Sequence, residues 1–326
     1  MPVNMTTTIN GSANCYFEWY PTVTASKIGA TLAYCLILVV SLLGNSCIGI
    51  IVYKTKTLRK PINILIVNMA MSDLFVPLIF IPMEITELYG YSWFVSGVLG
   101  NGLCKLIPFL FDVSYTVSVQ SLILIAVGRF GAVVCPLRSP LITSKQCPFF
   151  IIASWIVAMV VQMPLLLGYN LQENGGEEFC VLKWEKAFGQ SASSADIFLV
   201  YQSVFLFTPF IFLILIYSII LIKLKSQMLP GDQSTDAKIK RRQQNKNVLK
   251  LAIAIVLGLF FCKLPFAIIA LMYLYGTFPC GFSPYLFSSW MVLISYCGVN
   301  PCICFAFCRN YREGLKRLLK CSSDAS

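Results

Sequence analysis

The residues of this 326-residue chain that could do chemistry are few, and the most informative of them lie inside long apolar stretches. The chain contains no histidine, which removes the commonest general base and the commonest metal ligand. Hydrolases with a zinc-histidine site or a Ser-His-Asp triad are therefore excluded. What remains is a set of single polar residues whose amide, carboxylate or ammonium groups need partners, because burying them alone is costly.

Three of these polar positions suggest one site. Asp73 lies in the second apolar stretch, Asn45 in the first and Asn300-Pro301 in the last. An acid inside an apolar span is a candidate functional residue. We expect Asn45 and Asn300 to hydrogen-bond Asp73, and ordered water or a sodium ion to complete the site. The alternative is a static polar contact between helices.

Lys263 is the most unusual residue of the spans. An ammonium group there needs a partner or must lose its charge. Asp73 and Asp112 are the acids of the spans, and the sequence does not show that either reaches Lys263. One interpretation is a counter-charge for an acidic ligand group, and the other is a buried ion pair.

The elements that position these residues follow from composition. Hydrophobic residues make up 57% of the chain and charged residues only 12%, whereas soluble domains have about 25% charged residues. With a mean hydropathy of +0.76, lipid must solvate much of the surface. Apolar runs long enough to cross a bilayer recur seven times, at 28–53, 61–86, 104–134, 147–168, 196–222, 248–275 and 283–307.

The third run shows the scale of the bundle. Cys104 and Arg129 are 25 residues apart, or roughly 37 Å along a helix, and a hydrocarbon core is about 30 Å thick. One helix can therefore hold these two residues at opposite membrane faces.

After the last run, the segment from Arg309 to Cys321 alternates basic and apolar residues in a pattern typical of an amphipathic helix on the membrane surface. Cys321 is a candidate for palmitoylation. The sequence thus predicts an all-α membrane protein with residues 1–27 as an extracellular N-terminus, 28–307 as a seven-transmembrane helix bundle, and 308–326 as a short amphipathic helix and cytoplasmic tail.

Charge distribution sets the expected orientation. The net charge of +11 is concentrated in the segments after odd-numbered spans and in the tail, so the positive-inside rule places the N-terminus outside the plasma membrane. The positive charge then lies at the cytoplasmic face of the membrane, next to the lipid, and gives no reason to expect a nucleic-acid partner. Two glycosylation sequons, at Asn4 and Asn10, agree with this orientation.

Cysteine positions agree as well. Four of the 14 cysteines fall on the expected outer side, namely Cys15, Cys104, Cys180 and Cys280. An even number in the oxidising compartment suggests disulfides, with three pairings open. No pair has zinc-finger spacing, so we expect no metal centre. In the long outer loop, Asn174-Gly175-Gly176 predicts a hairpin turn.

Taken together, the chain resembles the rhodopsin-like (class A) G-protein-coupled receptors. The residues that carry the resemblance occur in the family's order and spacing: Gly44-Asn45, the stretch ending at Asp73, Cys104, Arg129 with Pro136, Trp155, Cys180, Pro209 with Tyr217, Cys262 with Pro265, and Asn300-Pro301.

The resemblance implies that Arg129 engages a heterotrimeric G-protein after the sixth span swings outward, and that Tyr217 steadies the active state. Asn300 and Pro301 belong to the same activation residues. With Cys104 and Cys180 both among the matching positions, we expect them to form a disulfide. Cys15 and Cys280 are then the candidate pair for a second.

Departures from the family pattern matter as much. The acid that usually precedes the arginine is Gly128, and an acid sometimes found at the inner end of the sixth span corresponds to Asn245. Lys263 replaces a tryptophan between Cys262 and Pro265, and the seventh-span motif ends in cysteine at Cys304. Missing restraints on Arg129 predict raised basal signalling.

The expected ligand is a peptide. In aminergic receptors an aspartate stands at the position that Phe111 occupies here, and Asp112 points about 100° away around the helix. In opsins a lysine of the seventh span binds retinal, and the seventh span of this chain has no lysine. An acidic outer lip and nearby aromatic residues suit a basic, aromatic peptide. In this the chain resembles receptors of the RFamide, neuropeptide Y and tachykinin kind. The acids of the lip are Glu84, Glu87, Glu173, Glu177, Glu178 and Asp196.

Glu84 and Glu87 share a helix face and are the favoured contact for a peptide arginine. Phe111, Asp112, Lys263 and Asp196 are further candidate ligand residues. The sequence therefore predicts a receptor and no enzyme. The alternatives are a constitutively active or orphan receptor for a small non-peptide ligand, and a channel or transporter.

Overall fold

A computed structural model of the chain describes residues 5–7, 15–17, 20–90, 92–135, 141–184, 188–189, 193–226, 236–275, 277 and 283–323. Six helices in these ranges are long and apolar enough to cross a membrane, and a seventh span is a helix pair bent by 48°. Helices satisfy every backbone polar group internally, which lipid requires. The predicted all-α seven-span bundle is confirmed.

The spans have the following bounds: the first is Thr24–Lys54; the second Pro61–Asp73, a π-helical turn Val76–Phe80 and Ile81–Gly90; the third Gly97–Val134; the fourth Cys147–Gly168; the fifth Ser194–Gln202, a π-helical turn Ser203–Phe207 and Thr208–Ser226; the sixth Asp236–Leu274; and the seventh Ser283–Ile294 with Tyr296–Phe307. A 3-10 turn, Lys56–Leu58, links the first span to the second, and Arg309–Ser323 is the surface helix.

Two predicted helix starts were too late. The third span begins at Gly97 rather than residue 104, and the sixth at Asp236 rather than residue 248. The third helix continues beyond the predicted run as a glycine-rich extension and the sixth as a polar one, and hydropathy marks only the part that lipid must cover. The seventh span breaks at Ser295, six residues before Pro301.

Prolines accompany both π-helical turns. Pro77 lies within the turn of the second span, and Pro209 lies two residues after the end of the turn of the fifth span. Proline has no backbone N–H and its ring pushes away the carbonyl four residues earlier, so a locally widened turn accommodates it.

A β-hairpin covers the end of the bundle where the third span begins. Its strands, Tyr169–Asn174 and Glu177–Leu182, pair antiparallel, and Gly175 and Gly176 adopt φ of 66° and 86° at the turn. This confirms the predicted turn, where positive φ favours glycine. A disulfide joins Cys180 to Cys104, as expected. We call this the disulfide end of the bundle, and the opposite end the arginine end.

Several sequence predictions fall outside the described residues. Both sequons, at Asn4 and Asn10, lie there, as does Cys280, the expected partner of Cys15. The structure describes only the backbone of Cys15, which begins the short strand Cys15–Phe17. This strand pairs with Met5–Thr7. Cys321 is part of the surface helix, but its side chain is outside the described part.

The surface helix packs on the first span at the arginine end. Tyr311 is buried, and its hydroxyl donates to Oδ1 of Asn63 at 3.3 Å. At Gly314 an added Cβ would lie 2.5 Å from the Ile51 side chain, so only glycine permits this close approach. The predicted helix after the seventh span is therefore present and is docked against the first span.

Candidate functional site

A cavity opens at the disulfide end between the second, third, fifth, sixth and seventh spans and the hairpin. Its open space, counted together with solvent at its mouth, is about 880 Å³. Its walls are mainly aromatic: Phe80, Trp93, Phe111, Tyr169, Trp184, Phe198, Tyr201, Phe266 and Trp290 line it. Such a lining suits a ligand with apolar and aromatic parts.

The aromatic wall is continuous across four spans. The ring centroids of Phe80 and Phe111 are 4.5 Å apart, those of Phe111 and Trp290 are 5.9 Å apart, and those of Trp290 and Phe266 are 4.9 Å apart. Contacts of this kind are worth about 0.5–1.5 kcal/mol each beyond the area that they bury. They fix Phe111, a predicted ligand residue, within a preformed surface.

Glu84 and Glu87 line this cavity and are each only 3% exposed. The hydroxyl of Tyr34 donates to Oε2 of Glu84 at 3.1 Å, and that of Tyr20 donates to Oε2 of Glu87 at 2.6 Å. The expectation that these two acids form an open lip is therefore wrong. They form one inner wall of the cavity, because tyrosines from the start of the chain cover their outer side.

Tyr20 precedes the first span and belongs to the same cluster. Its ring packs edge-on against Phe287, with centroids 5.9 Å apart. Burial raises the pKa of its hydroxyl well above the ordinary value, and the nearby carboxylates of Glu84 and Glu87 add to the shift. Tyr20 therefore stays a neutral hydrogen-bond donor to Glu87.

The remaining acids of the expected lip lie elsewhere. Glu173 and Glu177 are exposed on the hairpin, and Glu178 is half-buried there. Asp196 is exposed and accepts a hydrogen bond from the hydroxyl of Tyr275 at 3.0 Å, but it is not part of the cavity lining. The structure thus brings Glu84 and Glu87, and not Asp196, to the cavity.

Lys263 and Asp112 both line the cavity and face each other. Nζ of Lys263 is 3.9 Å from Oδ1 of Asp112, and it lies 3.8 Å from the centroid of the Tyr115 ring. The arrangement is that of a buried ion pair with an added cation–π contact. Sequence reasoning named both charges but could not show that they meet.

A hydrogen-bonded network stands beside this pair. Nε2 of Gln162 donates to Oγ1 of Thr116 at 2.6 Å, and the Tyr201 hydroxyl donates to Oε1 of Gln162 at 2.8 Å. The Tyr201 hydroxyl also lies beside the Asp112 carboxylate. Neither Gln162 nor Tyr201 was predicted, since nothing in their sequence context marks them among the many residues of the spans.

The polar core lies deeper in the bundle. Asp73 is fully buried; the Ser118 hydroxyl donates to its Oδ1 at 2.7 Å, and Nδ2 of Asn300 donates to its Oδ2 at 2.8 Å. Ser114, Ser118 and Ser121 recur at helical spacing along the third span. That polar stripe is a signal that would have identified Ser118.

Asn45 does not bond to Asp73, contrary to expectation. Its Nδ2 donates to the backbone carbonyl of Cys297 at 2.9 Å and to Oγ of Ser41 at 3.1 Å. Cys297 is four residues before Pro301, so its carbonyl has lost its helical donor. Asn45 therefore supplies the hydrogen bond that proline removes.

The oxygen atoms around Asp73 fit a monovalent cation by their chemistry. A carboxylate and a hydroxyl, from Asp73 and Ser118, meet here, and the buried Oδ1 of Asn300 has no hydrogen-bond partner among the described residues. Hard cations take such oxygen ligands. The described part of the chain contains no group of three or more His, Cys, Asp or Glu side chains placed to hold a metal ion.

Arg129 and Tyr217 lie at the arginine end. Among the described residues, no acid lies within ion-pair distance of Arg129, and its Nε and the Tyr217 hydroxyl are buried without hydrogen-bond partners. The two groups are near enough to interact electrostatically. A Cβ at Gly128 would meet only the Ile142 side chain, at 3.8 Å, so the missing acid of this position is not excluded by space.

Comparison with known proteins agrees with this architecture. A family model described as 7 transmembrane receptor (rhodopsin family) matches residues 44–303. A QRFP-like peptide receptor of Branchiostoma floridae is 27% identical over 252 residues, which cover 76% of this chain and 65% of that receptor. The chain thus spans slightly less than two thirds of that relative.

Two further relatives have similar identity. Neuropeptide Y receptor type 6 of Mus musculus is 29% identical over 269 residues, covering 78% of this chain and 70% of that receptor. Somatostatin receptor type 5 of Rattus norvegicus is 26% identical over 311 residues, covering 93% of this chain and 82% of that receptor.

Proposed function

Because this chain belongs to the rhodopsin family of seven-transmembrane receptors, which are multi-pass plasma-membrane proteins and not enzymes, we propose that it is a receptor for a basic peptide and signals through heterotrimeric G-proteins. The disulfide end faces the outside and the arginine end faces the cytoplasm. Relatives whose names state QRFP-like peptide, neuropeptide Y and somatostatin receptors support a peptide ligand.

The observation that carries the proposal is the pair Glu84 and Glu87 within an aromatic cavity. Three acids and one base, Lys263, line this cavity, so it favours a cation. In each glutamate, Oε2 accepts a hydrogen bond from a tyrosine, and the carboxylate still has acceptor capacity for a guanidinium. Aromatic walls accept the remaining peptide side chains through stacking and cation–π contacts.

The arginine end supplies the G-protein contact. Arg129 is held by no acid among the described residues, and the sixth span extends well past the apolar run, to Asp236. That extension contains Lys238, Lys240, Arg241 and Arg242. Outward movement of the sixth span would uncover Arg129 and this basic segment, while Tyr217, Asn300 and Pro301 adjust with the fifth and seventh spans.

A sodium ion at Asp73 belongs to the proposal as well. Asp73, Ser118 and Asn300 would hold it, and its charge would compensate the buried carboxylate. The ion favours the closed packing of the second, third and seventh spans, because it attracts side chains from all three.

The function is tested on membranes from cells that express the full chain. A panel of amidated peptides ending in arginine and an aromatic residue is compared with the same peptides containing citrulline, the neutral isostere of arginine. We expect at least one basic peptide to raise nucleotide exchange on added G-proteins and its citrulline analogue to be much weaker. Ion currents in a purified, reconstituted sample without G-protein, together with no exchange response, would support a channel instead.

A further inference from the structure

The ion pair of Lys263 and Asp112 is a second charged cluster in the cavity, separate from the two glutamates. Asp112 is eight residues beyond Cys104 on the third span, or about 12 Å deeper along the helix. Lys263 approaches from the sixth span, two residues before Pro265. The pair therefore lies near the cavity floor and joins two spans.

Both partners of Lys263 belong to the third span. Its ammonium is 3.9 Å from the Asp112 carboxylate and 3.8 Å from the centroid of the Tyr115 ring. Pro265 removes a helical hydrogen bond nearby, which makes this part of the sixth span the place where it bends most easily. The contacts of Lys263 thus hold the bending region of the sixth span against the third.

The two charged groups are not equally accessible. The Asp112 side chain is 19% exposed, whereas that of Lys263 is 4% exposed. A group that enters through the mouth therefore meets the carboxylate before the ammonium. A cation can bind there, while an anion would have to pass the glutamates and Asp112 to reach Lys263.

We propose that the Asp112–Lys263 pair is a latch between the third and sixth spans, and that a guanidinium or amine group of the ligand opens it by replacing Lys263 on Asp112. Removing one partner of a buried pair is strongly unfavourable for the other. Lys263 then leaves the third span together with the bending region of the sixth span. This inference rests on the proposed function, because it takes the sixth span as the moving element.

The network next to Asp112 explains why the carboxylate stays in place during the exchange. Gln162 is 1% exposed and is fixed by its donation to Thr116, and the Tyr201 hydroxyl donates to Gln162 beside the Asp112 carboxylate. These contacts hold side chains of the fourth and fifth spans next to Asp112. The glutamates then set how tightly the ligand binds, and Asp112 sets whether binding activates the receptor.

The test is a charge-exchange series in the full chain. The variants are Asp112→Asn, Lys263→Met, the exchange Asp112→Lys with Lys263→Asp, and Lys263→Arg, which keeps the charge. Lys27→Met is the matched control, since Lys27 lies 5.7 Å from the ring centroid of Tyr89 at the same end but outside the cavity lining. Cell-surface amount verifies folding of each variant.

Two readouts are taken without agonist. One is nucleotide exchange on added G-protein, and the other is the distance between spin labels introduced as non-natural amino acids at the exposed positions Lys54 and Gln243. We expect Asp112→Asn and Lys263→Met each to raise nucleotide exchange and to lengthen the distance between the labels. The expected increase is about fivefold or more, which is the low end of coupling between sites in allosteric proteins. The charge-exchanged double variant and Lys263→Arg should show lower nucleotide exchange and a shorter distance than the single charge removals, because each keeps an ion pair. Lys27→Met should stay within about twofold of the wild type.

The wild-type chain provides an arm that does not depend on whether single variants fold. Arginyl-phenylalanine amide should lengthen the same distance, and the N-acetylated citrulline analogue, which carries neither a guanidinium nor an amine, should not. Single variants that reach the surface with wild-type distance and exchange would overturn the latch, as would equal effects of the two dipeptides. If the label distances lengthen but nucleotide exchange never responds, the latch stands and the proposed G-protein coupling fails. If peptides drive nucleotide exchange while the Asp112 and Lys263 variants behave like the wild type, the proposed function stands and the latch fails.

Discussion

The side-chain amide of Asn45 donates to the backbone carbonyl of Cys297 at 2.9 Å, and thereby ties the first span to the seventh. Ser41 donates to the same carbonyl at 3.2 Å. The carbonyl needs these donors because the ring of Pro301 takes the place of its helical N–H. Two side chains of one helix thus repair a backbone gap in another, next to the buried carboxylate of Asp73.

Replacing Asn45 by alanine should lower the stability of the bundle. With Ser41 still bonded to the carbonyl, we expect a cost of about 1 kcal/mol; removing both donors should cost more than the two single losses together, because the carbonyl is then left unsatisfied. Thermal unfolding in detergent, followed by intrinsic fluorescence, measures the effect. Ser154→Ala is the control, since the buried Ser154 hydroxyl donates only within its own helix, to Ile151. A double variant no less stable than this control would refute the repair.

How far the sequence predicts such contacts depends on what each residue bonds to. Asp73 and Asn300 could be paired from sequence, because both are side chains that apolar spans cannot leave alone. Asn45 was assigned to the same site for the same reason, but its true partner is a backbone carbonyl that only the packing of two spans exposes.

The cavity shows the same limit. Glu84 and Glu87 lie on one helix face, as predicted. Their burial, however, depends on Tyr34 and Tyr20, which are 50 and 67 residues away in sequence from Glu84 and Glu87, respectively. Helix spacing cannot reveal which distant side chains cover a face. The meeting of Lys263 with Asp112 is likewise a property of the packed bundle, as neither position has a sequence pattern that specifies the other.

Restoring an acid at Gly128 should lower basal signalling. The position has space for a side chain, since the nearest atom to an added Cβ belongs to Ile142 at 3.8 Å. Gly128→Asp would place a carboxylate next to Arg129 and favour the closed state by up to about 1 kcal/mol. Agonist-free nucleotide exchange should therefore decrease about two- to fivefold. Gly128→Asn, of similar size without charge, is the control. Equal exchange in the two variants would show that the missing charge does not matter.

The docking of the surface helix should depend on Gly314. An added Cβ would lie 2.5 Å from the Ile51 side chain, so Gly314→Ala should push the helix off the first span at a cost of about 1 kcal/mol or more. Hydrogen exchange of the backbone amides of residues 309–323 should become faster. Gly49→Ala, where nothing lies within 4 Å of the added atom, should leave that exchange unchanged. Unaltered protection in the Gly314 variant would contradict the packing.

Sodium should act through Asp73 if the polar core holds the ion. Replacing sodium chloride with choline chloride at constant ionic strength should raise agonist-free nucleotide exchange of the wild type severalfold, because the closed packing loses its counter-charge. Asp73→Asn should abolish this sodium effect, Ser118→Ala should weaken it, and Ser154→Ala should retain it. A sodium effect that persists at full size in the Asp73 variant would place the ion elsewhere.

The central claim, that the buried glutamates receive the cationic group of a peptide, is tested most directly by competition binding. An active arginine peptide and its citrulline analogue are compared on the wild type and on the variant with both Glu84→Gln and Glu87→Gln. We predict that the arginine peptide loses at least about tenfold in affinity, or ~1.4 kcal/mol, while the analogue changes little, so that the preference for arginine disappears. An equal loss for both peptides, or an arginine preference that survives the double substitution, would contradict the account.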